Sequence, residues 1–248
     1  MNGTSSEPPI ANREPPHSRL TTPHSLEGRQ DARLPSDQVS VVLLAAGAGS
    51  RFGGGKLLAP YGGRPLIEAT LLGLREAPVD EIIAVVGKDA ERLRGVCSPY
   101  GIRIVENPNW TEGISSSVRA GLLACGPKAR AAVVALADQP LVGSEAVGRL
   151  VKAFERGAEV AVATYDGRRR NPVLFARGVW PLLMRELSGD EGARAVLARH
   201  PELTTMEVPS DDVADPTDVD TVEDLRRLEG EVSVAPLGGS RPGEGGTL

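Results

Sequence analysis

The sequence predicts an α/β fold of three layers, in which helices cover both faces of a mostly parallel sheet. Two observations support this prediction. Short apolar runs of strand length alternate with segments of helix length through the middle of the chain, which is the pattern of folds with a parallel sheet. Chemistry-bearing residues also follow several of the apolar runs, and open α/β sheets bind their ligands outside the carboxyl ends of the strands.

Composition divides the chain into one domain between two tails. Residues 1–38 are rich in Pro, Ser, Arg and Glu and have no hydrophobic period, so they are predicted to form a disordered N-terminal tail. Residues 230–248 have a similar composition and are predicted to form a second disordered tail. Residues 39–229 are then predicted to form one α/β domain, because a chain of 248 residues is long enough for one sizeable core.

Within the domain, apolar runs predict the strands and the segments between them predict the helices. The first run is β-branched and aliphatic, as in buried strands, and Pro65 suits the first turn of the first helix. The predicted strands cover residues 39–45, 81–86, 102–105, 131–137, 160–164, 172–175 and 204–208. The predicted helices cover residues 66–76, 90–96, 115–124, 144–156, 179–187, 192–198 and 221–228.

Bulk properties exclude several classes of protein. The net charge of −5 argues against a nucleic-acid surface binder, and no apolar run reaches the length of a membrane span. Cys97 and Cys125 stand in no metal-binding spacing, which predicts core residues in a reducing, cytoplasmic environment. The three histidines are too few and too scattered to favour a histidine-based triad or zinc site. Carboxylates, cations and backbone groups remain, and these suit nucleotidyl transfer with a hard metal ion.

The segment after the first strand is the strongest candidate for a phosphate site. Its nearly bare backbone lets N–H groups approach an anion closely, and the cations Arg51 and Lys56 follow it. This arrangement suits a nucleoside triphosphate, whose oxygens the amides and the two cations would hold. The bare segment consists of Ala45, Ala46, Gly47, Ala48, Gly49 and Ser50.

Two better-known glycine loops fit this segment less well. A P-loop is excluded, because Ser50 stands where its first Gly belongs and Leu57 follows Lys56 in place of Ser or Thr. The dinucleotide fingerprint is closer, but its third Gly comes one residue late at Gly53 and prolines interrupt the expected helix. A plain structural turn is the remaining alternative.

Three further stretches leave alternatives open. Asp138 follows an apolar run directly and is either a turn cap, which Pro140 favours, or a metal ligand. Residues 112–117 open a helix with three serines, which serve as N-caps or contact a ribose or base. The arginine run at 168–170 forms a solvated turn or attracts an anionic acceptor.

Several motifs together resemble one enzyme family. They are LAAGAGSRFGGGKLL from Leu44, NPNWTEGISSSVRAGL from Asn107, LADQPLV from Leu136, and RNPVLF from Arg170 with SGDEGAR from Ser188. These motifs are similar to those of molybdenum cofactor cytidylyltransferase and its near relatives, which share a Rossmann-like nucleotidyltransferase fold. The first motif also resembles enzymes that handle sugars and isoprenoid precursors, whereas the serine-rich and GDEGAR motifs are more specific.

The resemblance implies a role for each motif. The bare segment with Arg51 and Lys56 would bind CTP, and Gly113 and Ser117 would lie near its base or ribose. Asp138 would hold Mg²⁺ against the phosphates. The second ligand would be Asp220, the acidic residue before a threonine.

Alternatives accompany these assignments. Asp218 is the alternative second ligand, and Asp220 is otherwise a helix cap with Glu223 completing a capping box. On the far side of the sheet from the bare segment, a pterin–phosphate acceptor would be contacted by Asn171, Asp190 and Arg194.

The function implied is transfer of a cytidylyl group from CTP to the phosphate of molybdenum–molybdopterin, with Arg51, Lys56 and Asp138 as catalytic residues. Three rivals remain. The first is a nucleotidyltransferase that uses GTP or another acceptor, which Ala46 weakly disfavours because guanylyl-transferring relatives tend to have Gly there. The second is an NAD(P)H-dependent oxidoreductase of the same wider group. The third is a non-catalytic carrier that passes molybdenum cofactor to a molybdenum hydroxylase.

Overall fold

The computed structural model describes residues 38–234, except for the side chains at 193–194 and 231–234. Predictions for residues 1–37 and 235–248 lie outside these residues. The strands are β1 (Val39–Ala45), β2 (Pro60–Tyr61), β3 (Arg64–Pro65), β4 (Glu81–Val86), β5 (Arg103–Glu106), β6 (Ala131–Leu136), β7 (Val160–Tyr165), β8 (Arg168–Ala176) and β9 (Thr205–Pro209). The α-helices are α1 (Leu66–Leu74), α2 (Ala90–Cys97), α3 (Ile114–Ala124), α4 (Ser144–Glu155), α5 (Trp180–Glu186), α6 (Ala193–Arg199) and α7 (Val222–Val234).

Seven strands form one sheet in the order β5-β4-β1-β6-β8-β7-β9. The neighbours are parallel except at β8, which runs antiparallel to both β6 and β7. The chain builds outward from β1 through β4 to β5 and then returns to the other side of β1 with β6. The loops after β1 and β6 therefore diverge at a topological switch point, which is where such sheets bind ligands. The predicted α/β fold with a mostly parallel sheet is confirmed.

Two hydrophobic cores lie on the two faces of this sheet. Alternation along β1 directs Val41 and Leu43 to one face, where they pack with residues of α1, α2, α4 and α7. Val42 and Leu44 point to the other face and pack with residues of α3, α5 and α6. The result is the three-layer arrangement that the sequence predicts.

Helix α3 lies very close to the sheet because of one glycine. A Cβ built on Gly121 would overlap Cγ1 of Val42 and would lie 3.1 Å from Cγ2 of Val85. Only a residue without a side chain allows this approach. The N-terminus of α3, where the serines lie, is thereby held at a fixed height over β1 and β4.

Strand β8 and helix α7 extend furthest beyond their predicted bounds. Strand β8 begins at Arg168, so the arginine run lies in a strand and the prediction of a turn there is wrong. The first residues of β8 pair with β7 alone and are exposed. They are therefore polar and lack the apolar pattern that predicts a strand. Helix α7 continues to Val234, beyond the predicted domain end at residue 229.

Among residues 38–234, no helix has the length and apolar character needed to cross a membrane.

Candidate functional site

The loop after β1 folds back on itself through two short 3₁₀ turns, Ser50–Phe52 and Lys56–Leu58. The carbonyl of Gly49 accepts hydrogen bonds from the backbone N–H groups of Phe52 and Gly54, both at 3.0 Å. Gly49 has φ 58°, and a Cβ there would come within 3.0 Å of Cβ of Lys56. Glycine is therefore required at this position, and the fold of the loop brings Lys56 beside the bare segment.

Lys56 joins two carboxylates from distant parts of the chain. Its Nζ donates to Oδ2 of Asp138 at 2.6 Å and to Oδ1 of Asp220 at 3.3 Å. The Lys56 and Asp138 side chains are only 13% and 21% exposed, whereas that of Asp220 is 45% exposed. Burial lowers the pKa of Lys56, but the charges and hydrogen bonds of Asp138 and Asp220 together raise it above the ordinary value. Lys56 is therefore a fixed cation at neutral pH.

Arg51 supplies a second, exposed cation on the same loop. Its Nη1 lies 3.2 Å from Oδ2 of Asp220, and its side chain is 80% exposed. Together with Gly49, Ser50, Lys56 and Asp220, it lines a cavity of about 230 Å³. The structure thus brings four of the predicted residues together: Arg51, Lys56, Asp138 and Asp220.

The carboxylates of Asp138 and Asp220 both point to Lys56. Within the described residues, Lys56 is the hydrogen-bond donor to the Asp138 carboxylate, so the alternative of a turn cap is not observed. The cap of α7 is a reciprocal pair between Thr221 and Asp224, in which Asp224 Oδ2 accepts from Thr221 N at 2.9 Å and Thr221 Oγ1 accepts from Asp224 N at 3.1 Å. The capping box suggested for Asp220 and Glu223 is therefore wrong by one residue, and Asp220 is left to bind Lys56 and Arg51.

Gln139 and Asp218 link the segments that carry these two carboxylates. Nε2 of Gln139 donates to Oδ1 of Asp218 at 2.9 Å and to the Pro216 carbonyl at 3.0 Å. Val219 N donates to the Asp138 carbonyl at 3.0 Å, which ties the loop before α7 to the end of β6. Burial, followed by the charge of Asp138, raises the pKa of Asp218. The position of Gln139 beside Asp138 was the only sequence signal for this link.

The serine-rich N-terminus of α3 is a second polar region. Asn107 and Ser117 are each 4% exposed, and Nδ2 of Asn107 donates to Oγ of Ser116 at 2.9 Å and to Oγ of Ser117 at 3.0 Å. The hydroxyl of Ser115 is buried and has no hydrogen-bond partner among the described residues. Asn107 was not predicted as a site residue, and its contacts account for two of the three serines, Ser116 and Ser117.

The loop between α5 and α6 lies against this same helix end. Ser115 N donates to the Gly189 carbonyl at 3.1 Å. A Cβ on Gly113, which has φ 102°, would overlap the backbone of Gly189 and would lie 2.6 Å from Oδ1 of Asp190. Asp190, which was predicted to contact the acceptor, is thus a neighbour of Gly113, which was predicted to contact the nucleotide. The two predicted sites therefore meet at the N-terminus of α3.

The remaining predicted acceptor residues are more dispersed. Asn171 lies where the register of β7 with β8 shifts, between the pairs Val162–Val173 and Ala163–Arg170. Arg194 lies in α6, and its side chain is not among those described. The structure therefore gathers the residues predicted to bind phosphates and metal into one cluster, and it places Asn171 in β8 and Asp190 beside the N-terminus of α3.

Comparison with known proteins decides the family. A family model described as "MobA-like NTP transferase domain" matches residues 41–204, more than half of the chain. The chain belongs to this family.

Individual relatives of this MobA-like domain have different names. It is 38% identical over 207 residues to a protein from Paenarthrobacter nicotinovorans named nicotine blue oxidoreductase, covering 80% of this chain and 98% of the relative. It is 29% identical over 205 residues to the molybdenum cofactor guanylyltransferase of Cupriavidus metallidurans, covering 79% and 96%. The crystal structure of Rv0371c from Mycobacterium tuberculosis in complex with manganese matches with a TM-score of 0.66 and 31% identity, over 78% of this chain and 98% of that one.

The Lys56 cluster of this MobA-like domain fits a divalent metal ion. Asp138 and Asp220 converge on one ammonium group, so their oxygens lie close together. A hard divalent cation typically takes one or two protein carboxylates and completes its shell with phosphates and water. No group of three or more His, Cys, Asp or Glu side chains in the described part of the chain is placed to hold a metal ion. The other ligands would therefore come from the substrate and solvent.

Proposed function

We propose that this MobA-like domain transfers a cytidylyl group from CTP to the phosphate of a molybdopterin-type acceptor and releases pyrophosphate. The observation that carries the proposal is the meeting of Lys56, Asp138 and Asp220 beside a bare glycine loop at the switch point of the sheet. Cations, backbone amides and two carboxylates are the groups that phosphoryl and nucleotidyl transfer requires.

The triphosphate would bind along residues 45–50, with Arg51 and Lys56 at its oxygens. The exposed guanidinium of Arg51 is free to rotate from Asp220 to a phosphate, because an exposed ion pair contributes little to stability. Lys56 is held by two carboxylates, so its ammonium is already positioned before the nucleotide arrives. Positioning of charge before the reaction is the main source of rate acceleration in such sites.

Asp138 and Asp220 would hold Mg²⁺. The ion, when bound, supplies positive charge to the phosphates and lines up the leaving pyrophosphate. Lys56 occupies Oδ2 of Asp138 and Oδ1 of Asp220, so the ion would use the other oxygen of each carboxylate while Lys56 limits the repulsion between the two side chains.

The transfer itself needs no covalent intermediate on the protein. An oxygen of the acceptor phosphate attacks the α-phosphorus of CTP, a new P–O bond forms, and the bond to the pyrophosphate breaks in line with the attack. A phosphate monoester is ionised near neutral pH, so no general base is required. The absence of histidine from the cluster is consistent with this chemistry, and Lys56 and Arg51 would stabilise the charge that accumulates on the leaving pyrophosphate.

The choice of CTP rests on the resemblance at the bare segment and at the N-terminus of α3. Ala46 stands where guanylyl-transferring relatives tend to have Gly, and Gly113 and Ser117 lie at the helix end where the resemblance locates base or ribose contacts. Asn171, Asp190 and Arg194 would contact the acceptor by the same resemblance. The relative named molybdenum cofactor guanylyltransferase makes GTP the nucleotide to compare with CTP.

Pyrophosphate release from each nucleoside triphosphate, measured with Mg²⁺ and with and without molybdenum–molybdopterin, tests the proposal. The expected result is release from CTP in preference to GTP, ATP and UTP that depends on both Mg²⁺ and the acceptor. Preference for GTP would overturn the choice of nucleotide, and stoichiometric binding of the acceptor without pyrophosphate release would indicate a carrier.

A second candidate is an NAD(P)H-dependent oxidoreductase. It is favoured by the 38% identity to the protein named nicotine blue oxidoreductase, which extends over 98% of that relative. The partial dinucleotide fingerprint Gly47-Ala48-Gly49 agrees with it. Reduction of a chromogenic dye by NADPH, unchanged when Mg²⁺ is chelated, is the result that would favour this candidate over nucleotidyl transfer.

A further inference from the structure

A second and larger cavity opens next to the Lys56 cluster. It has a volume of about 630 Å³, and Asp220 lines both this cavity and the smaller one at the bare loop. A ligand in the larger cavity would therefore lie next to the phosphates of a nucleotide bound at the loop. Its size is within the range that holds a small organic substrate.

Two arginines of β8 line this cavity. Side chains alternate along a strand, so Arg168 and Arg170 share one face while Arg169 points to the other. Nε of Arg169 binds Oε1 of Glu207 on β9 at 2.8 Å. Neither Arg168 nor Arg170 forms an ion pair with any residue in the described part of the chain. Both side chains are exposed and line the cavity.

The position of β8 explains why these charges lie at the active edge of the sheet. Strand β8 is antiparallel to β6 and pairs with it only from Val173 to Ala176. Its first residues therefore extend past the carboxyl end of β6, the end that carries Asp138. This antiparallel strand thus brings Arg168 and Arg170 to the same edge of the sheet as the Lys56 cluster.

Most of the carboxylates around the cavity already accept hydrogen bonds. Asp215 accepts from the backbone N–H of Thr217 at 2.8 Å and from its hydroxyl at 2.6 Å. Asp218 accepts from Gln139, and Asp224 belongs to the cap of α7. Asp166 and Asp220 complete the lining, so that five aspartates and two arginines surround the cavity. A ligand of this cavity therefore meets two guanidinium groups that form no ion pair within the described residues, and carboxylate oxygens that accept from N–H or O–H donors.

We infer that Arg168 and Arg170 bind the acceptor phosphate. The acceptor is then a phosphate monoester whose body carries N–H or O–H donors for the aspartates of the cavity. This inference rests on the proposed nucleotidyl transfer and assigns the acceptor side of the same site. Bidentate arginine–phosphate contacts would fix the attacking oxygen near Asp220, where the α-phosphorus would lie, while Arg51 and Lys56 would bind the nucleotide on the other side.

Calorimetric titration with phenyl phosphate, with phenol as the uncharged control, tests the inference on the full chain. The titrations are made with and without bound α,β-methylene CTP, which cannot be cleaved, and Mg²⁺. The test variant carries Arg168→Gln and Arg170→Gln, and the matched control is Arg169→Gln on the opposite face of the same strand. We expect the double variant to bind phenyl phosphate at least about tenfold more weakly, since hydrogen bonds between charged groups have this strength, while Arg169→Gln binds it like the wild type.

The outcomes separate this inference from the proposed function. Equal affinity for phenyl phosphate in the double variant and the wild type, an equal loss in Arg169→Gln, or no binding to the wild type would each overturn the inference. Weaker binding of α,β-methylene CTP with unchanged phenyl phosphate affinity would show that the two arginines serve the nucleotide and would also overturn it. Failure of the wild type to bind α,β-methylene CTP would instead refute the proposed function, while the titration without nucleotide still reports on the two arginines.

Discussion

The ammonium of Lys56 binds the carboxylates of Asp138 and Asp220, which are 82 and 164 residues away in the chain. Such a contact holds the glycine loop, the end of β6 and the loop before α7 at one point. Its ammonium is nearly buried, whereas the guanidinium of Arg51 is largely exposed. The two cations of the loop therefore differ in what they contribute to the fold, although both are proposed to bind phosphates.

Substitution of Lys56 and Arg51 separates their contributions to stability from their contributions to turnover. Lys56→Met should leave Asp138 and Asp220 uncompensated and lower the free energy of unfolding by about 1–3 kcal/mol, the usual cost of an unpaired, partly buried charged group. Arg51→Met should leave the stability nearly unchanged, because exposed ion pairs contribute about 0–1 kcal/mol. Both variants should lower turnover by about 10²–10³-fold, the scale for loss of one preorganised charge.

Urea unfolding and pyrophosphate release, measured on the same preparations, check this pair of variants. Near-wild-type turnover in either variant would argue against the triphosphate assignment. Equal stability of the two variants would argue against a structural role for the Lys56 bridge.

At the scale of single elements, the packing of α3 on the sheet rests on Gly121. Gly121→Ala would force a methyl group into Val42, and overpacking of this kind costs about 1–3 kcal/mol. Gly95 in α2 is the matched control, since a Cβ there meets nothing within 4 Å. Gly95→Ala should stabilise the protein by up to about 1 kcal/mol, through the better helix propensity of alanine. Thermal unfolding of both variants gives the comparison, and destabilisation of similar size at both positions would be inconsistent with close packing of α3.

The α5–α6 region contains a histidine whose charge depends on pH. Nε2 of His200 lies 2.8 Å from Oε2 of Glu186, and its Nδ1 lies 2.7 Å from Oε1 of Glu202. Hydrogen bonds to Glu186 and then Glu202 raise the pKa of His200, and the same bonds lower the pKa values of both glutamates. Glu186 ends α5, so the pair joins this helix to the chain after α6.

The direction of these shifts predicts how stability depends on pH. A raised pKa in the folded state means that the stabilisation by His200 is complete below its ordinary pKa of about 6.5 and is lost as pH rises through the raised value. The glutamates stay ionised over this range, because their pKa values are lowered. The melting temperature of the wild type should therefore fall between pH 6 and 8.5 more steeply than that of His200→Gln. Parallel curves for the two proteins would contradict this contribution.

At the scale of the whole molecule, the sequence predicted the layers and most of the strands well. Strand β1 and strand β4 have the predicted bounds, because each consists of apolar residues apart from one polar residue and is followed closely by glycine. The antiparallel direction of β8 was not predicted, since an alternation of strands and helices does not specify direction. Its first three residues are arginines, and an exposed strand end lacks the apolar signal on which the prediction relied.

The sequence predicted the individual segments of the candidate site, but it did not predict which of their side chains contact one another. A bare loop after a buried strand and an aspartate at the end of another strand are local signals, and both lie at the switch point as expected. The shared contact of Lys56 with Asp138 and Asp220 depends on how distant segments meet, which no local pattern contains. The cap of α7 shows the same limit, since Asp220 and Thr221 are both good caps and the contacts with Lys56 and Arg51 leave that role to Thr221.

The central claim is that the Lys56 cluster is a metal-dependent nucleotidyl-transfer site, and Asp138→Asn tests it most directly. This variant keeps the shape of residue 138 and a hydrogen-bond acceptor for Lys56 but removes one charge from the cluster. The measurement is the dissociation constant for CTP as a function of Mg²⁺ concentration, with melting temperature and turnover recorded alongside. Glu76→Gln, which removes an exposed carboxylate just beyond α1, serves as the control.

We predict that Asp138→Asn has an ordinary melting temperature, that its CTP affinity no longer rises with Mg²⁺, and that its turnover is lower by roughly 10²-fold or more. Glu76→Gln should behave as the wild type in all three measurements. An Asp138→Asn protein whose CTP affinity responds to Mg²⁺ as the wild type does, with ordinary turnover, would contradict the account.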